Sequence, residues 1–229
     1  MSKIVEVENL HKIYPGGSKV AALKGIDLSI SRGEFSALAG PSGSGKSTLL
    51  NMIGTLDRPT KGTVSYDGHA VSTLGVDALS DFRLRSLGFV FQAYNLIPVL
   101  SAIENVEYPL VLQGVDPKER RQLAHEVLSW VGLDGYAERR PDLLSGGQQQ
   151  RVAVARAIVT RPSLVLADEP TANLDSKTGA QLLDLMQGLN KDHGITFLFS
   201  SHDGAVLERA RRVVRLQDGE LLSDEVRPS

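Results

Sequence analysis

The sequence predicts an α/β protein with a mixed, largely parallel sheet, an antiparallel β sub-domain at the N-terminus and an inserted α-helical sub-domain. Three observations predict it. Short alternating runs open the chain. Two apolar strand-like runs, 35–39 and 164–167, lead into residues that carry chemistry. Between them, from about residue 101 to residue 160, the helical period dominates.

Ile4, Val5, Val7 and Leu10 stand against Lys3, Glu6 and Glu8, the pattern of a half-buried strand. Tyr14-Pro15-Gly16-Gly17-Ser18 is a turn cluster. A second alternating run, 26–30, precedes the turn Ser31-Arg32-Gly33, and 62–66 supplies a further member of the same antiparallel edge sheet. Residues 35–39 then run into a glycine-rich loop, and 46–53 reads as a helix, so strand, loop and helix open a βαβ unit. Residues 87–91 read as another strand. Ala124, Val127, Leu128 and Val131 recur at helical spacing, as do Val152, Ala155 and Ile158. Trp130 lies on such an apolar face and is expected in the core, while His11, His69, His125 and His193 match no motif. Strands return at 164–167 and 195–199, with a helix at 177–189 between them. A last pair, 213–216 and 220–222, is turned by Asp218-Gly219. The expected organisation is one domain over 1–229, with a catalytic core of about 1–92 and 161–229 and a helical sub-domain of about 93–160.

Composition narrows the function. The chain has 229 residues, 41% hydrophobic and 23% charged, in the range of an ordinary globular protein. A formal net charge of -2 lacks the basic footprint of a general nucleic-acid binder. Absence of cysteine excludes disulfides and thiolate metal sites. The opening residues show no secretory signal, and no apolar stretch is long enough to span a bilayer, so membrane work is expected to pass through a partner.

Gly40-Pro41-Ser42-Gly43-Ser44-Gly45-Lys46-Ser47 fits G-x-x-x-x-G-K-[ST] without a mismatch, and Thr48 continues it into the helix. Backbone N–H groups can wrap a phosphate only where side chains leave them accessible, hence the glycines. The following helix aims its N-terminal amides at the same anion. Lys46 adds a positive charge at the β/γ-phosphates, and Ser47 offers a hydroxyl to Mg²⁺. The pattern predicts the core of a P-loop NTPase.

The run 164–167 ends in Asp168 and Glu169. Two carboxylates at the tip of a buried strand are costly unless a cation balances them. Asp168 is placed to hold the Mg²⁺ shell and Glu169 to polarise the attacking water. Ser145, Gly146, Gly147 and Gln148 stand at the start of a helical run, an uncrowded helix N-terminus and a second anion site. With a helical block between this site and the P-loop, the economical arrangement is a head-to-tail pair of chains, each capping the other's nucleotide.

Together these motifs resemble the nucleotide-binding domain of ABC transporters over essentially the whole chain. The resemblance implies further roles. Tyr14 falls where the family stacks an aromatic ring on adenine. Gln92 matches the Q-loop glutamine, a contact of Mg²⁺ and the water. Ser145-Gly146-Gly147-Gln148 matches the signature, and Ala172-Asn173-Leu174-Asp175 the D-loop across the dimer seam. His202 matches the switch histidine at the γ-phosphate. ATP and Mg²⁺ are the implied ligands. The implied partners are a second copy of the chain and an integral membrane permease that places it on the cytoplasmic face of the inner membrane.

Residues 93–100 with 103–106 are apolar, either as a docking groove for a partner helix or as interior packing. With residues 53–62 they resemble the lipoprotein-releasing, macrolide-efflux and FtsE-like subgroup. The short stretch after His202 disfavours importers with a regulatory extension. The expected function is the ATPase of a transporter or extruder; the alternatives are an FtsE-type envelope regulator and a DNA-repair or translation ATPase.

Overall fold

The computed structural model describes residues 2–15 and 20–227, so Gly16, Gly17 and Ser18 of the expected turn lie outside the described residues. The chain divides into two compact units, 1–83 with 196–229, and 84–195.

In the first unit, β1 (Lys3–Tyr14) pairs antiparallel with β2 (Val20–Ser31) on one side and β4 (Lys61–Tyr66) on the other, and the short β5 (His69–Ala70) follows β4. Both Ile4 and Val5 are buried, so β1 departs from strict alternation where its register with β2 shifts. Gly62 admits this pairing: at φ +89 a Cβ would meet the Asn9 carbonyl oxygen at 2.2 Å. The same unit holds β3 (Phe35–Ala39), parallel to both β8 (Phe197–Ser200) and β9 (Arg212–Gln217). β10 (Glu220–Val226) closes a hairpin on β9 through Asp218 and Gly219, both at positive φ. All five residues of β3 are buried, as a strand flanked by parallel neighbours requires. Phe35, Phe197 and Phe199 pack ring to ring beneath it, Phe35 and Phe199 at 4.7 Å. β3 feeds α1 (Lys46–Ile53), and α7 (Gly204–Arg209) follows β8.

In the second unit, β6 (Leu87–Val90) runs parallel to β7 (Leu164–Asp168), with α3 (Ala102–Leu112), α4 (Pro117–Trp130) and α5 (Gly146–Ile158) between them in sequence and α6 (Ser176–His193) after β7. β6 lies directly on α5: a Cβ on Gly88 would meet the Ala157 carbonyl oxygen at 2.2 Å. Ser101 and Glu104 form a reciprocal capping box that starts α3. The fully buried Asn105 binds the carbonyls of Ile97, Leu100 and Ser101 and the amide of Ile97, which fixes the segment before the helix. Interior packing therefore accounts for Ala102, Ile103 and Val106, all buried, while Val99 is 71% exposed.

Several expected boundaries move for visible reasons. The strand expected at 87–91 stops at Val90, because the Phe91 carbonyl accepts a hydrogen bond from the Gln150 side chain. The strand expected at 195–199 begins at Phe197, because Gly194 caps α6 in the left-handed region and the Ile195 carbonyl accepts from Asn190. The helix expected at 177–189 extends to His193; its last turn is polar, so the apolar period ends before the helix does. A helix α2 (Val76–Ser86) was absent from the periodicity, since Leu79 is its one buried residue. Trp130 is half-buried rather than core, with its ring 3.8 Å from that of His193. Among the described residues no helix is long and apolar enough to cross a membrane.

Candidate nucleotide site

The first unit contains the phosphate loop. Gly40, Gly43 and Gly45 all hold positive φ. At Gly40 a Cβ would strike the Leu216 carbonyl oxygen at 2.2 Å, and at Gly45 the Ala22 carbonyl oxygen at 2.7 Å, so the loop threads a space that only glycine passes. The Gly219 amide donates to the Ser44 carbonyl at 3.1 Å and braces the loop from the β9–β10 turn. The Lys46 ammonium folds back over the loop and donates to the carbonyls of Gly40 at 2.8 Å and Pro41 at 3.0 Å. The N-cap of α1, Gly45, makes no side-chain capping bond. The Ser44 hydroxyl is buried with no hydrogen-bond partner. A cation, an uncapped helix N-terminus and an orphaned donor thus converge on one loop, the requirements of a bound polyphosphate. Pro41, Ser42 and Gly43 form its exposed rim, Ser47 is exposed on the first turn of α1, and Thr48 is half-buried beside it.

His202 lies at the same end of the same strands. β8 pairs in register with β3, Leu38 opposite Ser200, and the Ser201 amide donates to the Leu38 carbonyl. Asp203, on the other side of His202, caps α7 through the Ala205 amide. The exposed His202 side chain is therefore carried on a short segment anchored at both ends, at the carboxyl edge from which the phosphate loop also springs. Tyr14 ends β1, 37% exposed, and its hydroxyl donates to Asp57.

In the second unit, Ser145 is the N-cap of α5 and forms a capping box with Gln148: the Gln148 amide donates to Ser145 Oγ, and the Ser145 amide donates to Gln148 Oε1. The amides of Gly146 and Gly147 lie ahead of this box on the first turn. A Cβ on Gly146 would meet the Tyr94 hydroxyl at 2.8 Å, and one on Gly147 the Thr178 methyl at 2.4 Å, so the helix start is closely shouldered. Gln92 and Asn173 face each other as amides, with Asn173 Nδ2 donating to the Gln92 carbonyl at 3.0 Å. The Tyr94 hydroxyl donates to the Asn173 carbonyl, and Arg156 of α5 donates to the carbonyls of Tyr94 and Asn95, two consecutive residues at positive φ. Burial holds the Arg156 guanidinium below its ordinary pKa. Asp168 ends β7 and Glu169 follows at φ 45, a strained conformation for a non-glycine residue. Gln150, fully buried on α5, donates to the carbonyls of Phe91 at 3.2 Å and Pro170 at 2.7 Å, and so joins the segment before Gln92 to the one after Glu169. Sequence reasoning missed Gln150, the side-chain role of Asn173, and Asp57. Asn173 falls in the D-loop match and Asp57 in the 53–62 stretch, but what these side chains and Gln150 bind is revealed only by contacts distant in sequence.

Glycine loop, folded lysine and uncapped helix define a phosphate-binding cassette on an α/β sheet. The chain belongs to the ABC transporter family, whose model matches residues 23–172. It is 48% identical over 222 residues to an uncharacterized ABC transporter ATP-binding protein of Thermotoga maritima, covering 96% of this chain and 94% of that one. It is 46% identical to the lipoprotein-releasing system ATP-binding protein LolD of Geobacter metallireducens, covering 98% and 100%. It is also 47% identical to the macrolide export ATP-binding/permease protein MacB of Nitrosomonas europaea, covering 97% of this chain but only 34% of MacB. Among solved structures it is similar to the ATP-binding cassette MJ0796 in a dimeric form, with TM-score 0.90, 44% identity, and coverage of 99% of this chain and 100% of that one. A post-hydrolysis dimer of MJ0796 bound to ADP and Pi matches at TM-score 0.89.

Proposed function

We propose that the chain is the ATP-binding and ATP-hydrolysing subunit of an ABC transporter, which drives a separate membrane permease by closing head to tail on a second copy of itself. The phosphate loop carries this reading: its lysine, glycine backbone and buried serine hydroxyl are arranged for a triphosphate. The dimeric MJ0796 structures support the pairing of two chains, and the match over the whole length of the LolD ATP-binding protein supports a subunit separate from its permease.

The chemistry is positioning and electrostatics. The backbone N–H groups of the loop from Gly43 to Thr48 and the Lys46 ammonium bind the β- and γ-phosphates, and Tyr14 receives the base. Gly146, Gly147 and the Ser145 cap of the partner subunit bind the γ-phosphate from the other side. Glu169 orients the attacking water and takes its proton, Gln92 contacts that water, and His202 steadies charge on the transferred group. Ser47, Gln92 and Asp168 would hold Mg²⁺. Mg²⁺ keeps several waters and substrate oxygens as ligands, so few protein groups suffice. Bound there, Mg²⁺ would neutralise charge on the phosphate oxygens. In this reading the subunit sits on the cytoplasmic face of the inner membrane through its permease, and Val99, an exposed apolar side chain, is offered as a contact for it.

The Glu169→Gln variant tests this. It keeps nucleotide binding, loses turnover by about a hundredfold or more, and collects as an ATP-bound dimer in size-exclusion chromatography. Wild-type turnover would remove Glu169 from its role.

A further inference from the structure

The segment 53–62 stands out in the sequence, and nothing above assigns it a function. In the structure it grips the end of β1. Asp57 uses both carboxylate oxygens. Oδ1 accepts from the Lys12 ammonium at 2.8 Å and from the Arg58 amide at 2.7 Å; Oδ2 accepts from the Tyr14 hydroxyl at 3.1 Å. Lys12 also donates to the Arg58 carbonyl at 2.8 Å, and its ammonium lies 4.8 Å from the centre of the Tyr14 ring. On either side, the Ile13 amide donates to the Thr60 hydroxyl and the Thr60 amide to the His11 carbonyl. A single ion pair near the surface contributes little by itself. Here the carboxylate and its lysine partner converge on one aromatic ring, bound through its hydroxyl by Asp57 and covered on one face by Lys12. Burial pulls the Asp57 carboxyl up, but the hydrogen bonds from Lys12, Arg58 and Tyr14 outweigh it and keep the group below the usual aspartate range.

The clamp is also tied to the phosphate loop. That loop enters α1 at Lys46; the amides of Leu56 and Asp57 bind the Asn51 carbonyl near the other end of the helix. One rigid helix thus links the phosphate cradle to the carboxylate that sets the ring. The ligand this suits has a flat base at a fixed distance from its phosphates.

We propose that Asp57, together with Lys12, is a positioning residue that holds the Tyr14 ring in the orientation that receives the base of the bound nucleotide, on the ring face opposite Lys12. This rests on the reading of Tyr14 as the base-stacking residue. A ring already fixed loses less freedom when the base arrives, so the clamp raises affinity for nucleotides and leaves affinity for bare polyphosphate alone.

The test is calorimetric titration of the full chain with magnesium ADP and with magnesium pyrophosphate. Asp57→Asn and Tyr14→Phe each weaken ADP binding by about threefold to tenfold and leave pyrophosphate binding unchanged. In steady-state ATP hydrolysis, Asp57→Asn raises KM more than it lowers kcat. In a Tyr14→Ala background, Asp57→Asn has no further effect on ADP. Equal losses for both ligands would make the cluster merely structural and overturn the proposal, as would additive losses with Tyr14→Ala. Wild-type ADP affinity in Asp57→Asn and Tyr14→Phe, with Tyr14→Ala weakened, overturns it while sparing the stacking reading. Undiminished ADP affinity in Tyr14→Ala overturns the stacking reading itself. Should Asp57→Asn fail to fold, Tyr14→Phe, which removes only the hydroxyl, decides alone.

Discussion

Replacing Gln150 by leucine keeps the side-chain volume and removes the amide that donates to the carbonyls of Phe91 and Pro170. The two losses are unequal. The bond to Pro170 is buried and short, 2.7 Å, so its carbonyl loses a partner that water cannot replace, at about 1–3 kcal/mol. The Phe91 bond is part-buried at 3.2 Å, and water can take over, so about 0.5–1 kcal/mol is lost there. Against this, Gln150 Oε1 is itself buried with no partner, and leucine removes that penalty of about 1 kcal/mol. The net is about 2 kcal/mol of destabilisation, a fall of about 4–8 °C in the unfolding midpoint for a chain of this size. Turnover falls further than stability, because the same amide steadies the segments that carry Gln92 and Glu169. Gln150→Glu is the sharper control: a carboxylate set against two carbonyl oxygens costs more than leucine. Differential scanning calorimetry and a phosphate-release assay read both effects. If Gln150→Leu melts with the wild type and hydrolyses ATP at the wild-type rate, or if Gln150→Glu is the more stable of the two, the bridging role is wrong.

Two further predictions concern charge. Lys46→Ala removes the ammonium held over the loop by the Gly40 and Pro41 carbonyls, and nucleotide affinity falls by about tenfold to a hundredfold in a fluorescent-nucleotide titration, with the fold intact by circular dichroism. Arg212 grips both oxygens of Asp224, at 2.7 and 2.6 Å, and pairs with Glu34 at 3.1 Å. Its hydrogen bonds, opposed by partial burial, hold the Asp224 carboxyl below the ordinary aspartate value. A carboxyl depressed in the folded state stabilises at pH above its unfolded value, and that contribution is lost as pH falls through the folded one. Thermal melts across that acidic window will show Asp224→Asn less stable than wild type at neutral pH and the gap closing on acidification; a gap independent of pH removes the ion pair as its cause.

How far each part could be read in advance depends on the range of the forces that make it. The loop 40–47 and helix Lys46–Ile53 were legible because glycine conformation, strand burial and helix period are local properties. The Ser145 cap was legible for the same reason, a hydroxyl and an amide three residues apart. The short polar-faced helix Val76–Ser86 was not, since one buried leucine leaves no period to detect. Strand ends at Val90 and Phe197 were displaced by side chains, Gln150 and Asn190, that claim backbone carbonyls and so end or delay the ladder.

The sequence by itself determined that this is a P-loop cassette of the ABC family, because phosphate binding demands particular residue types at fixed spacing along one loop and its helix. Tertiary structure alone decided that Asp57 reaches back across 43 residues to the Tyr14 ring, that Asn173 faces Gln92, and that Gln150 joins two loop starts. Hydrogen bonds of that kind depend on distance and direction in space. A buried amide or carboxylate satisfies whichever partners the fold brings within 3 Å or so, and their positions in the chain leave no pattern to read.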